Sequence, residues 1–260
     1  MAELATQFGA QQTSAFLLAL ARVGPLFLLA PVFSSRMIPL RARLVVAAAL
    51  ALALSHLARR GAELPGDPAA LGALVVKEVL VGLAFAFAVS VLFAAVQTAG
   101  ALLDGFTGFS FAAIVDPLTG NPGAVLAQLY ALVAAALFLT IGGDAWLVAG
   151  LARSYEIVPL TASPDIGSVV AAAQHTFAGM FGAALEVAAP VIVALILTDG
   201  AFALVARVAP QLNILQVGFA LKILVGLVLV AASLPFLAPW LGSELERTLL
   251  DGLGGLVGDS

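Results

Sequence analysis

The chain has 260 residues, 62% of them hydrophobic and only 10% charged, with a net charge of -4 and a mean hydropathy of +1.13. A soluble domain carries about a quarter charged residues, so polar groups cannot cover this surface and lipid or partner helices must. The composition predicts an all-α integral membrane protein. It excludes a nucleic-acid binder, because no basic cluster is dense enough, and it excludes thiol chemistry, because cysteine is absent.

Apolar runs fall at 13–33, 44–57, 69–103, 124–141, 169–197 and 216–241. The first has no basic residue ahead of it and reads as a retained helix rather than a cleaved leader. Arg22 sits near its middle, where a lipid-facing arginine costs roughly 2.5–3.5 kcal/mol. It must face protein or water, either as a structural ion pair or on a pathway. Arg36, Arg41 and Arg43 flank Ile38-Pro39 and form the densest positive loop, which the positive-inside rule places in the cytoplasm. The second run is short, a length that points to a buried or re-entrant helix. His56 at its end, beside Arg59 and Arg60, reads as interfacial. Asp67 and Pro68 form an N-cap and first helical residue for the third run. That run is too long for one upright span and carries Lys77 and Glu78, which point about 100° apart on a helix. They are not expected to pair with each other, and each needs a partner from elsewhere.

The segment 104–123 combines Gly105, Gly108, Gly120 and Gly123 with Phe106, Phe109 and Phe111. Glycine predicts irregular backbone, and irregular backbone at membrane depth is tolerated only where protein buries it or it lines a cavity. Two readings follow: a hydrophobic plug that gates by excluding water, or an interfacial aromatic loop. Asn121-Pro122 repeats the cap-and-proline arrangement before the fourth run, and Ser163-Pro164-Asp165 opens the fifth. Glu186 lies one turn before Pro190, which predicts a buried carboxylate beside a kink, as a proton relay or a structural group. His175 reads as a structural histidine. In 207–222, Pro210, Asn213 and Gly218 break the helical pattern while Gln211, Asn213 and Gln216 supply amides, as at a polar hairpin tip. Ser243 to Glu246 reads as a capping box for a short C-terminal amphipathic helix. No nucleotide-binding motif, Ser-His-Asp set or acidic metal cluster is present, so neither an enzyme nor a cofactor or metal is expected.

Several strings occur together in register: Arg22-Val-Gly-Pro25, Pro31-Val-Phe, Ile38-Pro39-Leu-Arg41, Glu78-Val-Leu-Val-Gly82, Gln97 with Gly100, Gly108-Phe109-Ser110, Asp116-Pro117, Leu139 to Gly143, Ser154-Tyr155 with Pro159, and Arg207 through Lys222. On these, over roughly residues 14–240, the chain resembles the FliR/SctT family of type III secretion export-gate proteins, and its flagellar branch most. It departs from the family pattern at Ala220, where proline is usual, and at Leu212 and Asp144, where methionine and histidine are frequent.

The resemblance implies a subunit of the flagellar protein export gate, through which unfolded substrates cross the bacterial inner membrane at the basal body. It implies a hetero-oligomer with FliP-like and FliQ-like subunits, together with FlhB- and FlhA-like components and membrane lipid. The implied architecture is a FliP-like helical region over 1–165 containing a core loop at 104–123, a FliQ-like hairpin over 166–242, and a short tail helix over 243–260. On that analogy Phe106, Gly108, Phe109, Phe111, Ile114, Asp116 and Pro117 form the pore plug. Arg207, Pro210, Gln211, Asn213, Gly218, Phe219 and Lys222 form the hairpin tip and subunit contacts. The alternatives are an injectisome subunit of the same family and, from another class, a secondary solute transporter using Glu186 or Arg22.

Overall fold

The computed structural model describes residues 2–35, 38–59, 64–109, 124–162, 165–208 and 214–254, the side chains of 2–8, 10, 214–217, 219, 251 and 253 excepted. Regular structure among the described residues is entirely helical. The elements are α1 (Ala2–Leu29), α2 (Pro31–Ser34), α3 (Leu40–Arg59), α4 (Pro68–Thr107), α5 (Val125–Thr140), α6 (Gly143–Ile157), α7 (Ile166–Val208) and α8 (Ile214–Gly254). Five of them contain stretches long and apolar enough to cross a bilayer, or six if α5 and α6 count as one broken span. The membrane-protein expectation from composition holds at the level of helices.

Local chemistry sets several boundaries. Asp67 accepts a hydrogen bond from the Ala70 N–H at 3.1 Å, and Pro68 follows as the first helical residue, so α4 starts as predicted. Asp165 caps α7 in the same way, accepting from the N–H groups of Gly167 at 3.2 Å and Ser168 at 3.3 Å. Gly142 takes φ +74°, the left-handed conformation open to glycine, and separates α5 from α6.

Three expectations about elements are corrected. The second run is not a stub: Leu40 to Arg43 extend it into a 20-residue helix, because its arginines keep their heads at the helix start and leave the ladder intact. Arg43 donates from Nε to the Ile38 carbonyl at 3.1 Å and from Nη2 to the Ser35 carbonyl. In the glycine–phenylalanine segment the α4 helix continues to Thr107 before the chain turns. The capping box at Ser243 is not used. The α8 helix runs through it to Gly254, and the Ser243 hydroxyl donates to the Trp240 carbonyl at 2.9 Å instead.

The chain divides into two compact units. The first comprises residues 1–91, 142–177 and 245–260. There α1 buries Ala15, Leu18, Ala19, Arg22, Val23 and Leu26, at the i, i+3, i+4 spacing of one helical face. It packs on α3, whose buried residues include Leu54 and the alanines Ala47, Ala51 and Ala58, small side chains that let two backbones approach closely. The second comprises residues 92–141 and 178–244. There α7 and α8 run antiparallel, with Asp199 facing Lys222 and Leu195 facing Gly226. Tyr130 of α5 joins them through a 3.1 Å hydroxyl contact with Ser233, and Phe93 packs edge-on against Phe138 at 5.5 Å between centroids.

Candidate functional site

A buried charge cluster occupies the first unit. Arg22 and Glu78 are both wholly inaccessible to solvent. The guanidinium donates bidentately to the carboxylate, Nε to Oε2 at 2.5 Å and Nη2 to Oε1 at 3.0 Å. This fork geometry is the strongest of the common ion pairs. Nη2 also donates to the Val158 carbonyl at 2.9 Å and Nη1 to the Ser154 hydroxyl at 3.1 Å. The guanidinium carbon stands 4.0 Å from the centre of the Tyr155 ring, a cation–π arrangement. Arg22 therefore meets protein, as its cost in lipid requires, and its donors are consumed by structural partners.

Lys77 completes the cluster and corrects the expectation that it could not pair with its neighbour. Its ammonium lies 3.0 Å from Glu78 Oε1. The four-carbon stem bends the charge around the helix, an option that the angle between Cβ vectors does not exclude. The same ammonium donates to the carbonyls of Pro159 at 3.1 Å, Leu160 at 2.6 Å and Ala162 at 3.0 Å. Both cations thus gather at the C-terminal end of α6, where unpaired carbonyls and the helix dipole favour positive charge. Gly82, one turn beyond Glu78, explains the rest of that string. A Cβ there would stand 2.1 Å from the Arg22 carbonyl oxygen. Glu78 holds the arginine side chain, and Gly82 admits its backbone.

The second unit contains the base of the glycine–phenylalanine segment. Asp104 is buried, and its carboxylate accepts from the N–H groups of Leu126 and Ala127, each at 3.1 Å. These are second and third N–H groups of α5, whose own N-cap residue, Ala124, has no side-chain acceptor. Asp104 therefore caps α5 from another helix. Gly100, one turn earlier, lets that end approach: a Cβ would stand 2.6 Å from Ala127 Cα. At the other margin Thr107 donates to the Leu103 carbonyl at 2.8 Å, and Gly108 ends the helix at φ +93°. Of the predicted plug residues, Phe106 is exposed, and Gly108 and Phe109 are half-buried. Phe111, Ile114, Asp116 and Pro117 lie outside the described residues.

Lys222 pairs with Asp199 at 2.7 Å and ties α8 to α7. Gly218 and Phe219 belong to α8, so the predicted helix break at Gly218 is corrected; a single glycine weakens a helix but does not by itself force a turn. Arg207 is exposed in the last turn of α7, and Pro210, Gln211 and Asn213 lie outside the described residues. Glu186 is corrected from buried to exposed; α7 continues through Pro190, and the side chain lies on the rim of a cavity with Trp240. Two residues with clear roles, Asp104 and Asp199, were missed. Asp104 carried a signal, an acid closing an apolar run, but its partner is 22 residues away.

These features define a multi-pass helical membrane protein in which buried charges and hydroxyls among the described residues serve helix packing. The chain belongs to the bacterial export proteins, family 1, whose profile matches residues 13–248. It is 33% identical over 240 residues to the flagellar biosynthetic protein FliR of Escherichia coli K12, covering 89% of this chain and 90% of that one. It is 33% identical over 218 residues to the FliR of Bacillus subtilis 168, covering 83% and 84%. The surface presentation of antigens protein SpaR of Shigella flexneri is 29% identical over 160 residues, 60% of each chain.

Proposed function

We propose that this protein is a non-enzymatic subunit of the flagellar type III protein export gate in the bacterial inner membrane. It assembles with FliP-like and FliQ-like subunits, near FlhB- and FlhA-like components. Residues 1–165 act as the FliP-like part and α7 and α8 as the FliQ-like hairpin, with the predicted tip residues at subunit contacts. The segment after α4 closes the pore sterically, with Phe106, Phe109, Phe111 and Ile114 as its seal, and an unfolded substrate displaces it.

The observation that supports this reading is the clasp at the base of the segment. Asp104 holds the N-terminal turn of α5 against the last turn of α4, so both ends of a glycine- and phenylalanine-rich stretch are anchored while Phe106 stays exposed. The flagellar branch is favoured over the injectisome branch by the longer matches to FliR proteins. The transporter reading loses Arg22, which is sealed from solvent.

The test replaces residues 110–120 with a glycine–serine segment of equal length, leaving Asp104 and Thr107 in place. Cells expressing the whole gate should then leak small solutes. A membrane that stays tight around a fully assembled variant gate would refute the plug.

A further inference from the structure

A cavity of about 350 Å³ lies in the second unit, between α7, α8 and the Tyr130 side chain of α5. That volume is at the lower end of small-ligand sites. Its walls are apolar, with Pro190, Leu229 and Phe236 among them, but three polar features do not fit an empty apolar cleft. Glu186 places an acid at the rim with no partner among the described residues, in a helix apolar enough to span a membrane. Such an acid is expensive when it faces hydrocarbon. Pro190, four residues on, has no N–H to give the Glu186 backbone carbonyl, which adds a second acceptor there. Trp240 lines the same cavity, and its indole N–H is buried without an acceptor. A buried indole N–H ordinarily finds one.

We propose that this cavity binds an ethanolamine phospholipid. The ammonium pairs with the Glu186 carboxylate, a phosphate or ester oxygen accepts from Trp240 Nε1, and an acyl chain lies along Phe236. The complementarity selects this chemistry. The site offers one anion and one N–H donor, so it calls for a ligand with a cationic donor and an acceptor a few bonds apart. An anionic glycerol phospholipid would satisfy the indole but set its charge against Glu186. A lysine from a neighbouring helix would satisfy Glu186 but leave the indole N–H unmet. The setting suits lipid as well: Phe236 is 74% exposed, and only 17% of the apolar window of α8 is buried. The inference stands apart from the gate reading and does not depend on it.

Trp146 and Trp240 are the two tryptophans of the chain, so Trp146→Phe leaves Trp240 as the single fluorophore. The full-length variant is reconstituted in phosphatidylcholine nanodiscs containing a small fraction of brominated lipid, and indole quenching is titrated. Brominated phosphatidylethanolamine should quench at about fivefold lower mole fraction than brominated phosphatidylglycerol, the ratio given by about 1 kcal/mol from a partly exposed ion pair. Adding Glu186→Gln should remove the preference. A second measurement needs no change at Glu186: successive N-methylation of the ethanolamine headgroup should lower the preference step by step as N–H donors are lost. Equal quenching by both lipids, a preference that survives Glu186→Gln, or no quenching by any lipid overturns the proposal. The last result would mean that the cavity does not admit lipid.

Discussion

Glu78→Ala is the most demanding test of the charge cluster. In the native protein the Glu78 carboxylate accepts two of the four hydrogen bonds made by a guanidinium with no solvent access, and it also faces the Lys77 ammonium. Removing it leaves Arg22 with the Ser154 hydroxyl and the Val158 carbonyl, both neutral, and sets two cations side by side without an anion. Breaking a buried pair from one side costs about 3–5 kcal/mol. The remaining dipoles of the α6 C-terminus offset at most about 1 kcal/mol of that, so a loss of about 3 kcal/mol is expected. The double change Arg22→Met with Glu78→Leu removes the stranded charge and should recover most of the loss, since apolar replacements of buried pairs are often neutral. Lys77 keeps its three carbonyl acceptors and partial solvent access in that variant. The assay is unfolding of the purified protein in mixed micelles by titration with a denaturing detergent, scored for Glu78→Ala, for the singles Arg22→Met and Glu78→Leu, and for their double. If Glu78→Ala lies within about 1 kcal/mol of the native protein, or if the two losses simply add, the cluster is not the lock described here.

Gly82→Ala should be severe, because the added Cβ meets a backbone oxygen at 2.1 Å and only a helix shift can relieve it. Gly226→Ala should be milder, because its 2.6 Å clash is with the Thr107 side-chain methyl group rather than with backbone. Melting temperatures of the two variants in detergent check the order. Asp104→Ala should cost about 2 kcal/mol through the lost remote cap, and it should speed hydrogen exchange at the Leu126 and Ala127 amides above the rest of α5. Asp165 predicts a pH effect outside the spans. The Ser168 hydroxyl, then the Gly167 and Ser168 N–H groups, hold its carboxyl below the usual range. A lowered folded-state pKa gives stability that is present above the unfolded value and lost as pH falls through the folded one. Exchange at Gly167 and Ser168 should therefore rise on acidification below about pH 4, and an Asp165→Asn variant should show no such step.

Much of the helical layout was legible because apolar periodicity and caps are local. Asp67-Pro68 and Asp165 did what their residue types predict, and Arg22 was bound to meet protein because lipid would be too costly. The errors came where length or distance mattered. Leu40 to Arg43 looked like loop because arginines interrupt an apolar run, yet arginine is a good helix former, and the dipole penalty on a cation in an exposed first turn is small, about 0.3–1 kcal/mol. Ser243 looked like a cap because the pattern is blind to whether the preceding helix has ended. Lys77 reached Glu78 through a flexible stem that no wheel diagram represents. Asp104 was invisible as a cap because its acceptors serve a helix that begins 21 residues later, at Val125. Glu186 was misjudged because an acid within an apolar run can face an assembly partner or lipid headgroup as well as a protein interior.

One device recurs along α4 and ties sequence to function. Glu78 and Gly82 are four residues apart, as are Gly100 and Asp104, so each acid and its glycine share a helical face. In the first unit the pair receives Arg22 of α1; in the second it receives the N-terminus of α5. Each time the glycine removes the side chain that would hold the neighbour away, and the acid supplies the charge that fixes where it stops. This arrangement stabilises two contacts whose packing depends on close backbone approach, and it spends the acids of the longest apolar run on structure. A buried carboxylate held by two backbone N–H groups, or by a bidentate guanidinium, is fixed in place by partners that favour its charged form, which makes Glu78 and Asp104 poor carriers for a transported proton or solute.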